Sequence, residues 1–363
     1  MFRKRYVKHE ANAMIRVELG DTVKTGYNPP GVTKAVYVSE KEKVTIIAAK
    51  TKYGKSVLVD ILAVHIAKHR PIIIFDYRGE HENLKYPSFD FLHNAPSDSI
   101  AGLIIVPRPS FYISDLSRHD HWESLGFPEL AAKTVAELAR DVSEHANEPD
   151  AFEEILYRKV RANPHDLSLR SAYRRFQDAK FMFATPYEIG IGAKKRITDF
   201  GKLVYSARKV LVNLELHQLG VEGVARCITG ILLEQLEPWI ERLHPTIIIE
   251  EADILCPRIT DTAPVPLSLA RLSELCLKKQ KYGVELIFVT QRMKHRLNED
   301  AIISNAHTLI LGQLTAGDYY VDRTSFLKWD RLGNYREFIM LNVGQRYAPV
   351  FTPVSSPVKT LGR

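Results

Sequence analysis

The stretch VTIIAAKTKYGKS, residues 44–56, begins as a run of apolar and β-branched residues and ends in a loop that carries glycine, lysine and serine. An apolar helical pattern follows this loop directly. In a strand–loop–helix unit of this kind, the loop amides and the helix N-terminus point their N–H groups at a bound anion. Gly54 allows close approach of the backbone, Lys55 adds positive charge, and the Ser56 hydroxyl is a ligand for Mg²⁺, so we predict that nucleotide phosphates bind here. The residues expected to line this site are Ala49, Lys50, Thr51, Lys52, Tyr53, Gly54, Lys55, Ser56 and Val57.

The loop differs at one position from the phosphate-loop pattern G-x-x-x-x-G-K-[ST]. The pattern has a glycine five residues before Gly54, where this chain has Ala49. A GKS triplet alone is a weak signal, so the prediction depends on the strand before it and the helix after it. The alternative is a lysine-containing turn that binds no ligand.

The composition indicates an ordinary globular protein with a large core. The chain has 363 residues, 45% hydrophobic and 26% charged, which is enough for about two structural units. No apolar run approaches the roughly 18 residues of a membrane-spanning helix, and the basic N-terminal segment lacks the apolar stretch of a signal peptide. We therefore expect a cytoplasmic protein without a membrane partner. The three cysteines are far apart, which favours buried thiols over a zinc site or a disulfide.

The charge is unevenly distributed along the chain. The formal net charge is +7, which favours a polyanionic partner only weakly in a chain of this length. Residues 114–150 contain nine acidic and three basic residues, whereas residues 151–209 contain thirteen basic and six acidic ones. The basic segment is therefore a candidate surface for phosphates, and the alternative is an ordinary solvated helix surface.

Apolar, β-branched runs alternate with helical spacing along most of the chain. This alternation is typical of an α/β fold with a mostly parallel sheet flanked by helices on both faces. Both ends of the chain carry short alternating runs, which predict β-rich terminal segments. The predicted strands after the phosphate loop are residues 71–75, 103–106, 209–214, 246–250, 285–290 and 308–311.

The pattern is helical between about residues 108 and 200, and we interpret this block as an insertion. Pro128 is expected to open one of its helices, since proline suits the first position of a helix. His119 and His121 are expected to lie on the surface. The predicted apolar face of the helix after Pro128 consists of Leu130, Thr134, Leu138 and Val142.

Two adjacent acids follow the apolar strand at residues 246–249. The sequence there is IIIEEAD, residues 247–253. An acid at such a strand end can lie beside Mg²⁺ and its water shell, and a second acid can orient and deprotonate an attacking water. We therefore assign Glu250 to the metal and Glu251 to catalysis, the alternative being that both acids only cap the next helix.

A glutamine follows another apolar strand, in LIFVTQR, residues 286–292. A glutamine at this position can contact a γ-phosphate or the attacking water and report hydrolysis to the rest of the subunit. We predict this sensing role for Gln291, the alternative being a plain hydrogen bond at the strand end.

Together these motifs resemble the HerA/FtsK superfamily of DNA-pumping ATPases, and the HerA-like branch fits best. The resemblance covers residues 42–80 and 205–345. It is carried by the strand–GKS loop, FDYRGEHENL (75–84), VNLEL (212–216), IIIEEAD (247–253), KYGVELIFVTQR (281–292), ISNAHTLILGQ (303–313) and LGNYREFIMLNVG (332–344).

The resemblance implies a RecA-like P-loop NTPase core assembled as a homo-hexameric ring. ATP and Mg²⁺ would bind between neighbouring subunits, and double-stranded DNA would occupy the central channel. Lys55 and Ser56 would contact phosphates and metal, Glu251 would activate water, and Gln291 would sense the γ-phosphate. Relatives work with a nuclease, a capsid or a relaxase, and the sequence leaves that choice open.

The units expected on this basis are an N-terminal β-rich segment (1–40), the first part of the core (41–107), the helical insertion (108–200), the second part of the core (201–325), and C-terminal strands and tail (326–363).

Three positions depart from the family pattern. They are Ala49, Glu250 in place of the usual aspartate, and Gln280, where relatives often have an arginine that serves the neighbouring subunit's site. The cation that acts across the subunit interface is therefore unassigned. The candidates are Lys279, Lys281, Arg271 and Arg292.

Two other classes of function compete with a DNA translocase. One is an assembly protein that binds nucleotide with little turnover, and the other is an AAA-type machine that remodels proteins. Phosphate release stimulated by duplex DNA separates the translocase from the first, and turnover stimulated by polypeptide identifies the second.

Overall fold

A computed structural model of the chain describes residues 14–22, 31–81, 102–106, 113–141, 149–180, 188–189, 193–194, 200–207, 210–215, 222–259, 265–293, 297–298, 300–314, 337–342 and 348–353. Eleven of its strands form one sheet. These strands are β1 (Ile15–Thr22), β2 (Lys34–Ser39), β3 (Val44–Ala48), β4 (Ile72–Asp76), β5 (Gly102–Val106), β8 (Val210–Glu215), β9 (Thr246–Ile249), β10 (Glu285–Thr290), β11 (Thr308–Leu311), β12 (Phe338–Asn342) and β13 (Val350–Pro353), and a separate small pair consists of β6 (Glu188–Ile189) and β7 (Ala193–Lys194).

The centre of the sheet is parallel. Seven strands lie side by side in the order β11-β3-β10-β9-β4-β8-β5, and every neighbouring pair among them is parallel. Beyond β11 the sheet continues with antiparallel strands in the order β12, β13, β1 and β2. Each predicted strand after the phosphate loop forms within one residue of its expected bounds. The predicted fold class is therefore confirmed, including the β-rich terminal segments.

Helices cover both faces of the parallel centre. Every residue of β3, β4, β9 and β10 is buried, as expected for strands that pack against helices on both sides. In β9, Ile248 joins the apolar cluster that contains α1, whereas Ile247 and Ile249 join the cluster on the other face. The helices are α1 (Lys55–Ala67), α2 (His119–Ser124), α3 (Glu129–Arg140), α4 (Pro149–Ala162), α5 (Leu167–Ala179), α6 (Phe200–Ala207), α7 (Glu222–Leu243), α8 (Ala252–Leu255), α9 (Leu267–Leu277) and α10 (Lys279–Tyr282).

The helices α2 to α5 pack around Trp122. The Trp122 ring lies 5.2 Å from the ring of Phe127, 6.5 Å from that of Phe152 and 6.3 Å from that of Phe176. These rings belong to the same apolar cluster as Ile247 and Ile249, on the sheet face opposite α1. The region predicted as a helical insertion thus contributes to the main core, while the boundaries drawn around it stay a prediction.

The predicted apolar face of α3 is only partly correct: Leu138 is half-buried and packs against the core, but Leu130 does not. Leu130 is 69% exposed, and the residues buried on this helix are alanines and one valine. Alanine carries little apolar weight in a sequence pattern, but its small side chain lets neighbouring helices approach closely, so the alanine face is the one that packs. Val142 lies outside the described residues. The buried set is Ala131, Ala132, Val135, Ala136 and Ala139.

The prediction for His121 is also wrong, whereas His119 is exposed as expected. The His121 side chain is buried, and its Nε2 lies 3.0 Å from a carboxylate oxygen of Glu234 on α7. Contact between α2 and α7, which the sequence pattern does not reveal, brings these two groups together. The three cysteines are buried and form no disulfide among the described residues, as predicted. In the part of the chain that the structure describes, no helix is both long enough and apolar enough to cross a bilayer.

Candidate active site

The sheet order brings four strand ends to one edge. Strands β3, β10, β9 and β4 are consecutive and parallel, so the segments that follow them converge. These segments are the loop at residues 49–54, Gln291, the pair Glu250 and Glu251, and the turn at residues 77–81. Ligands of open parallel sheets bind at this carboxyl edge of the strands. The candidate site is therefore built from segments up to about 240 residues apart in sequence.

The loop after β3 is tied to both neighbouring strands. The Ala49 N–H donates to the Thr290 carbonyl at 3.3 Å, and the Lys50 N–H donates to the Gln313 carbonyl at 2.8 Å. Gly54 precedes α1 with a φ of 102°, a left-handed conformation that glycine adopts without strain. The loop thus turns directly into the N-terminus of α1, as the sequence predicts.

Tyr53 and Gly312 pack beneath this loop. The Tyr53 ring is buried and lies edge-to-face on Phe338, with centroids 5.4 Å apart. A Cβ at position 312 would lie 2.5 Å from the Tyr53 ring and 2.8 Å from the Cβ of Ala49, so only glycine fits without displacing the loop. Tyr53 and Ala49, both predicted to line the phosphate site, therefore direct their side chains into the core.

Lys55 is folded back over its own loop. Its side chain is 6% exposed, and Nζ donates to the carbonyls of Ala49 at 2.9 Å and Lys50 at 3.2 Å. Burial lowers the pKa of Lys55, and the nearby carboxylates of Glu251 and Glu250 act in the opposite direction. These contacts hold the ammonium group close to two acids and to the loop that would cradle phosphates.

Ser56 is hydrogen-bonded to an acid that the sequence analysis did not assign. The Ser56 Oγ donates to Oε2 of Glu80 at 2.6 Å. Glu80 lies in the turn after β4, which enters the site because β4 pairs with β9. The two side chains therefore place a hydroxyl and a carboxylate oxygen next to each other at the start of α1.

Glu251 has a strained backbone and two donors on one oxygen. Its φ of 47° and ψ of 51° are left-handed, which is uncommon for a residue with a side chain and often marks a functional position. Its Oε1 accepts from Nε2 of Gln291 at 2.8 Å and lies 3.0 Å from Nε of Arg78. Burial raises the pKa of Glu251 above its ordinary value, while the hydrogen bond from Gln291 and the charge of Arg78 oppose this rise.

Gln291 links the phosphate loop to the acid pair. Its Oε1 accepts from the Thr51 hydroxyl at 2.6 Å, while its Nε2 donates to Glu251. One side chain thus spans from the loop to the predicted catalytic carboxylate. This position is consistent with the sensing role predicted for Gln291, which stays a prediction.

Glu250 is held by a buried histidine. His81 is fully buried, with Nε2 at 2.9 Å from Oε1 of Glu250 and Nδ1 at 2.8 Å from Oδ1 of Asp60 on α1. Burial alone would lower the pKa of His81, but the hydrogen bonds to the two carboxylates raise it well above its ordinary value. His81 is therefore a protonated bridge between α1 and the predicted metal acid.

The turn after β4 is held by hydrogen bonds to its own aspartate, and it carries Arg78, Glu80 and His81. The Asp76 carboxylate accepts the N–H groups of Gly79 at 2.6 Å, Glu80 at 3.2 Å and His81 at 3.3 Å, and Gly79 has a φ of 70°. In the sequence alone, the segment FDYRGEHENL contributes to the family resemblance, and no site role is assigned to its residues. The available signal was an aspartate at a strand end followed by a glycine turn, a pattern that fixes a loop by side-chain-to-backbone bonds.

The donor set fits Mg²⁺ bound together with phosphates. The Ser56 hydroxyl and the carboxylates of Glu250 and Glu80 supply oxygen atoms, the ligand type that Mg²⁺ prefers. No group of three or more His, Cys, Asp or Glu side chains in the described residues is arranged to hold a metal ion alone. Mg²⁺ at nucleotide sites usually takes one or two protein ligands and completes its shell with phosphates and water. The residues present therefore suit a metal that arrives with a nucleotide.

Comparison with known proteins shows a likeness in structure only. No protein-family model matches the chain, and no curated protein sequence matches it. The structure of VirB4 of Thermoanaerobacter pseudethanolicus is similar with a TM-score of 0.58 and 15% identity, covering 95% of this chain and 97% of that one. The plasmid coupling protein TrwB in complex with ADP and Mg²⁺ is similar with a TM-score of 0.60 and 12% identity, covering 94% and 95%. At these identities the likeness establishes the fold alone, which is the RecA-like arrangement of a mostly parallel sheet flanked by helices that the sequence predicts.

Proposed function

We propose that the protein hydrolyses ATP and uses the energy to translocate double-stranded DNA, working as a ring, expected to be hexameric, of identical subunits. The observation that carries this proposal is the convergence of Lys55, Ser56, Glu250, Glu251 and Gln291 at one edge of the sheet. The fold is shared with a plasmid coupling protein bound to ADP and Mg²⁺, which supports nucleotide binding by a protein of this fold. The same protein, TrwB, is described as a bacterial conjugative coupling protein, which supports the choice of DNA as the partner.

The positions of these side chains support hydrolysis in the following way. Lys55 exchanges its two loop carbonyls for phosphate oxygens, which offer a stronger, charge-assisted contact. Ser56, once released from Glu80, and Glu250 would hold Mg²⁺, which would supply positive charge that favours attack on the phosphate. Glu251 accepts the proton of the attacking water on its carboxylate, and burial adapts it to this task by raising its pKa. Gln291 senses the loss of the γ-phosphate, and its hydrogen bond with the Thr51 hydroxyl transmits this loss to the phosphate loop.

The decisive experiment measures phosphate release with and without duplex DNA over a series of salt concentrations. The sample is first sized by light scattering, so that the rate belongs to a known oligomer. We expect DNA to raise the rate and added salt to abolish this effect, because backbone contacts release counterions and weaken steeply with salt. Slow turnover that DNA leaves unchanged identifies the nucleotide-dependent assembly protein instead. Turnover raised by an unfolded polypeptide identifies the protein remodeller.

Duplex DNA is expected to contact an arginine face on α5. Arg170, Arg174 and Arg175 are exposed and line a surface hollow of about 460 Å³, and their guanidinium groups make no described hydrogen bond or ion pair within the described residues. Replacing all three with glutamine should weaken duplex binding equally for all sequences, since phosphate contacts carry no sequence information. The slope of log affinity against log salt should fall by about 1 for each arginine that contacts a phosphate. Fluorescence anisotropy with labelled duplexes over a salt series measures both quantities.

The matched control removes three cations that already have partners. Lys133, Arg158 and Lys278 are exposed, and each forms an ion pair with a glutamate four residues before it. Their replacement by glutamine changes the net charge by the same amount as the arginine variant. An equal loss of affinity in both variants would show that only total charge matters and would remove the arginine face from the proposal.

A further inference from the structure

Arg78 lies beside the predicted catalytic carboxylate in its own subunit. Its Nε is 3.0 Å from Oε1 of Glu251, whose side chain is only 5% exposed, whereas the Arg78 side chain is 41% exposed. The contact therefore joins a buried acid to a cation that extends toward solvent. Within the described residues, only Nε of this guanidinium makes a described hydrogen bond or ion pair.

Arg78 and Lys55 both lie near the carboxylate of Glu251, and their charges act on each other. The positive charge of Arg78 acts with burial to lower the pKa of Lys55, while Glu251, Glu250 and Glu80 act against them. Two cations beside the phosphate loop favour binding of a polyanion between them, because the negative charge of the polyanion offsets their mutual repulsion. A triphosphate seated on the loop would supply that charge.

Three of the four candidate cations for the neighbouring site already have partners. Arg271 forms ion pairs with Glu234 and Glu274 on its own subunit. Lys281 lies 3.7 Å from Glu241, and Lys279 donates to Asn305 at 3.3 Å. The fourth candidate, Arg292, is exposed and directly follows Gln291.

The backbone of Arg78 is fixed while its side chain has room to move. Asp76 caps the turn, and His81, three residues after Arg78, is anchored between two buried carboxylates. A guanidinium on such a turn can exchange its contact with Glu251 for phosphate oxygens without moving the sheet. Planar donors of this kind match phosphate geometry better than an ammonium does.

We propose that Arg78 is a catalytic residue that stabilises the γ-phosphate in cis, from the same subunit that supplies Lys55 and Glu251. This inference rests on the proposed function. The water oxygen forms a bond to the γ-phosphorus while the bond from that phosphorus to the β,γ-bridging oxygen breaks. The electron pair of the broken bond stays on ADP, and the proton of the water goes to Glu251. Arg78 stabilises the negative charge on the transferring phosphoryl group during this exchange.

The first test compares Arg78→Ala and Arg78→Lys with the parent protein. We expect Arg78→Ala to lower kcat by about 10³-fold, the lower end of the effect of an arginine on phosphoryl transfer. Affinity for a fluorescent ADP should stay unchanged, whereas affinity for a fluorescent non-hydrolysable ATP analogue should fall about 10- to 100-fold, the loss of one hydrogen bond to a charged group. Arg78→Lys should recover part of both losses because it keeps the charge but not the planar fork. An equal loss of ADP and ATP-analogue affinity would reveal a structural role and overturn the proposal.

Arg118→Ala is the matched control. Arg118 is similarly exposed, at 47%, and forms ion pairs with Asp120 and Glu234 away from the site. We expect parent-like kcat and parent-like affinity for both nucleotides. A parent protein that releases no phosphate under any condition would refute the proposed function, whereas an active parent with a fully active Arg78→Ala variant refutes only the role of Arg78.

Mixed rings decide between cis and trans action. Subunits with Arg78→Ala are mixed with subunits that carry Glu251→Gln, and the ATPase rate is followed across mixing ratios. If Arg78 acts in cis, every site lacks one of the two groups and mixing restores no activity. If it acts in trans, a site with intact Glu251 can receive Arg78 from its neighbour, so recovered activity overturns the proposal.

Discussion

Glu251→Gln is expected to lower the rate of ATP hydrolysis by at least about 10²-fold, the smallest effect usual for removal of a general base. The substitution keeps the size of the side chain and an oxygen that Gln291 and Arg78 can still approach, but it cannot accept the proton of the water. Affinity for nucleotide should remain close to that of the parent, since Lys55 and the loop are unchanged. Phosphate release at saturating ATP, together with binding of a fluorescent ATP, measures the two properties separately.

Asp253→Asn provides the control for this prediction. Asp253 is an acid two residues further along the chain whose Oδ1 accepts from the Thr290 hydroxyl at 2.9 Å. The same change from carboxylate to amide at this position should leave hydrolysis within a few-fold of the parent. Parent-like hydrolysis by Glu251→Gln at equal nucleotide occupancy would show that another group activates the water.

His81→Ala is expected to lower the free energy of unfolding by about 3–5 kcal/mol, the usual effect of breaking a buried ion pair from one side. The change leaves the carboxylates of Asp60 and Glu250 buried without the cation that joins them. Urea unfolding of parent and variant, without nucleotide or metal, measures the difference. The double variant Asp60→Asn with His81→Ala should lose less free energy of unfolding than the single variant, because one of the two unpaired charges is removed. A loss below about 1 kcal/mol in the single variant, within the range of ordinary surface contacts, would contradict the ionic bridge.

The same bridge gives the stability a defined pH dependence. The pKa of His81 is raised in the folded protein above its ordinary value of 6.5. The folded state therefore holds the His81 proton more tightly than the unfolded state, and the stabilisation is fully present below pH 6.5. It is lost as the pH rises through the raised pKa. The His81→Ala variant should not lose stability over this pH range. Urea unfolding curves of parent and variant at several pH values measure the difference.

Local sequence patterns predicted the fold class and three parts of the site, which are the phosphate loop, the two acids after β9 and Gln291. The strand–loop–helix unit at residues 44–67 and the acids after β9 are each contained in one short segment, so their chemistry is visible without the fold. The side chains that hold these groups were missed for a physical reason. Arg78, Glu80 and His81 reach the site only because β4 lies next to β9, and no local period encodes which strands become neighbours. Likewise, the packed face of α3 is set by how closely its alanines let other helices approach.

The position of β3 also determines when the protein can fold during synthesis. Its two partners in the sheet are β10 and β11, so an early strand must wait for residues 285–311 before its edges are covered. The first strand pairs with the last one, β13, and that ladder needs nearly the whole chain to have left the ribosome. Such long-range pairing makes folding slow and leaves apolar edges open to other chains in the meantime. Truncation products that end before residue 285 should therefore aggregate rather than form a smaller folded unit.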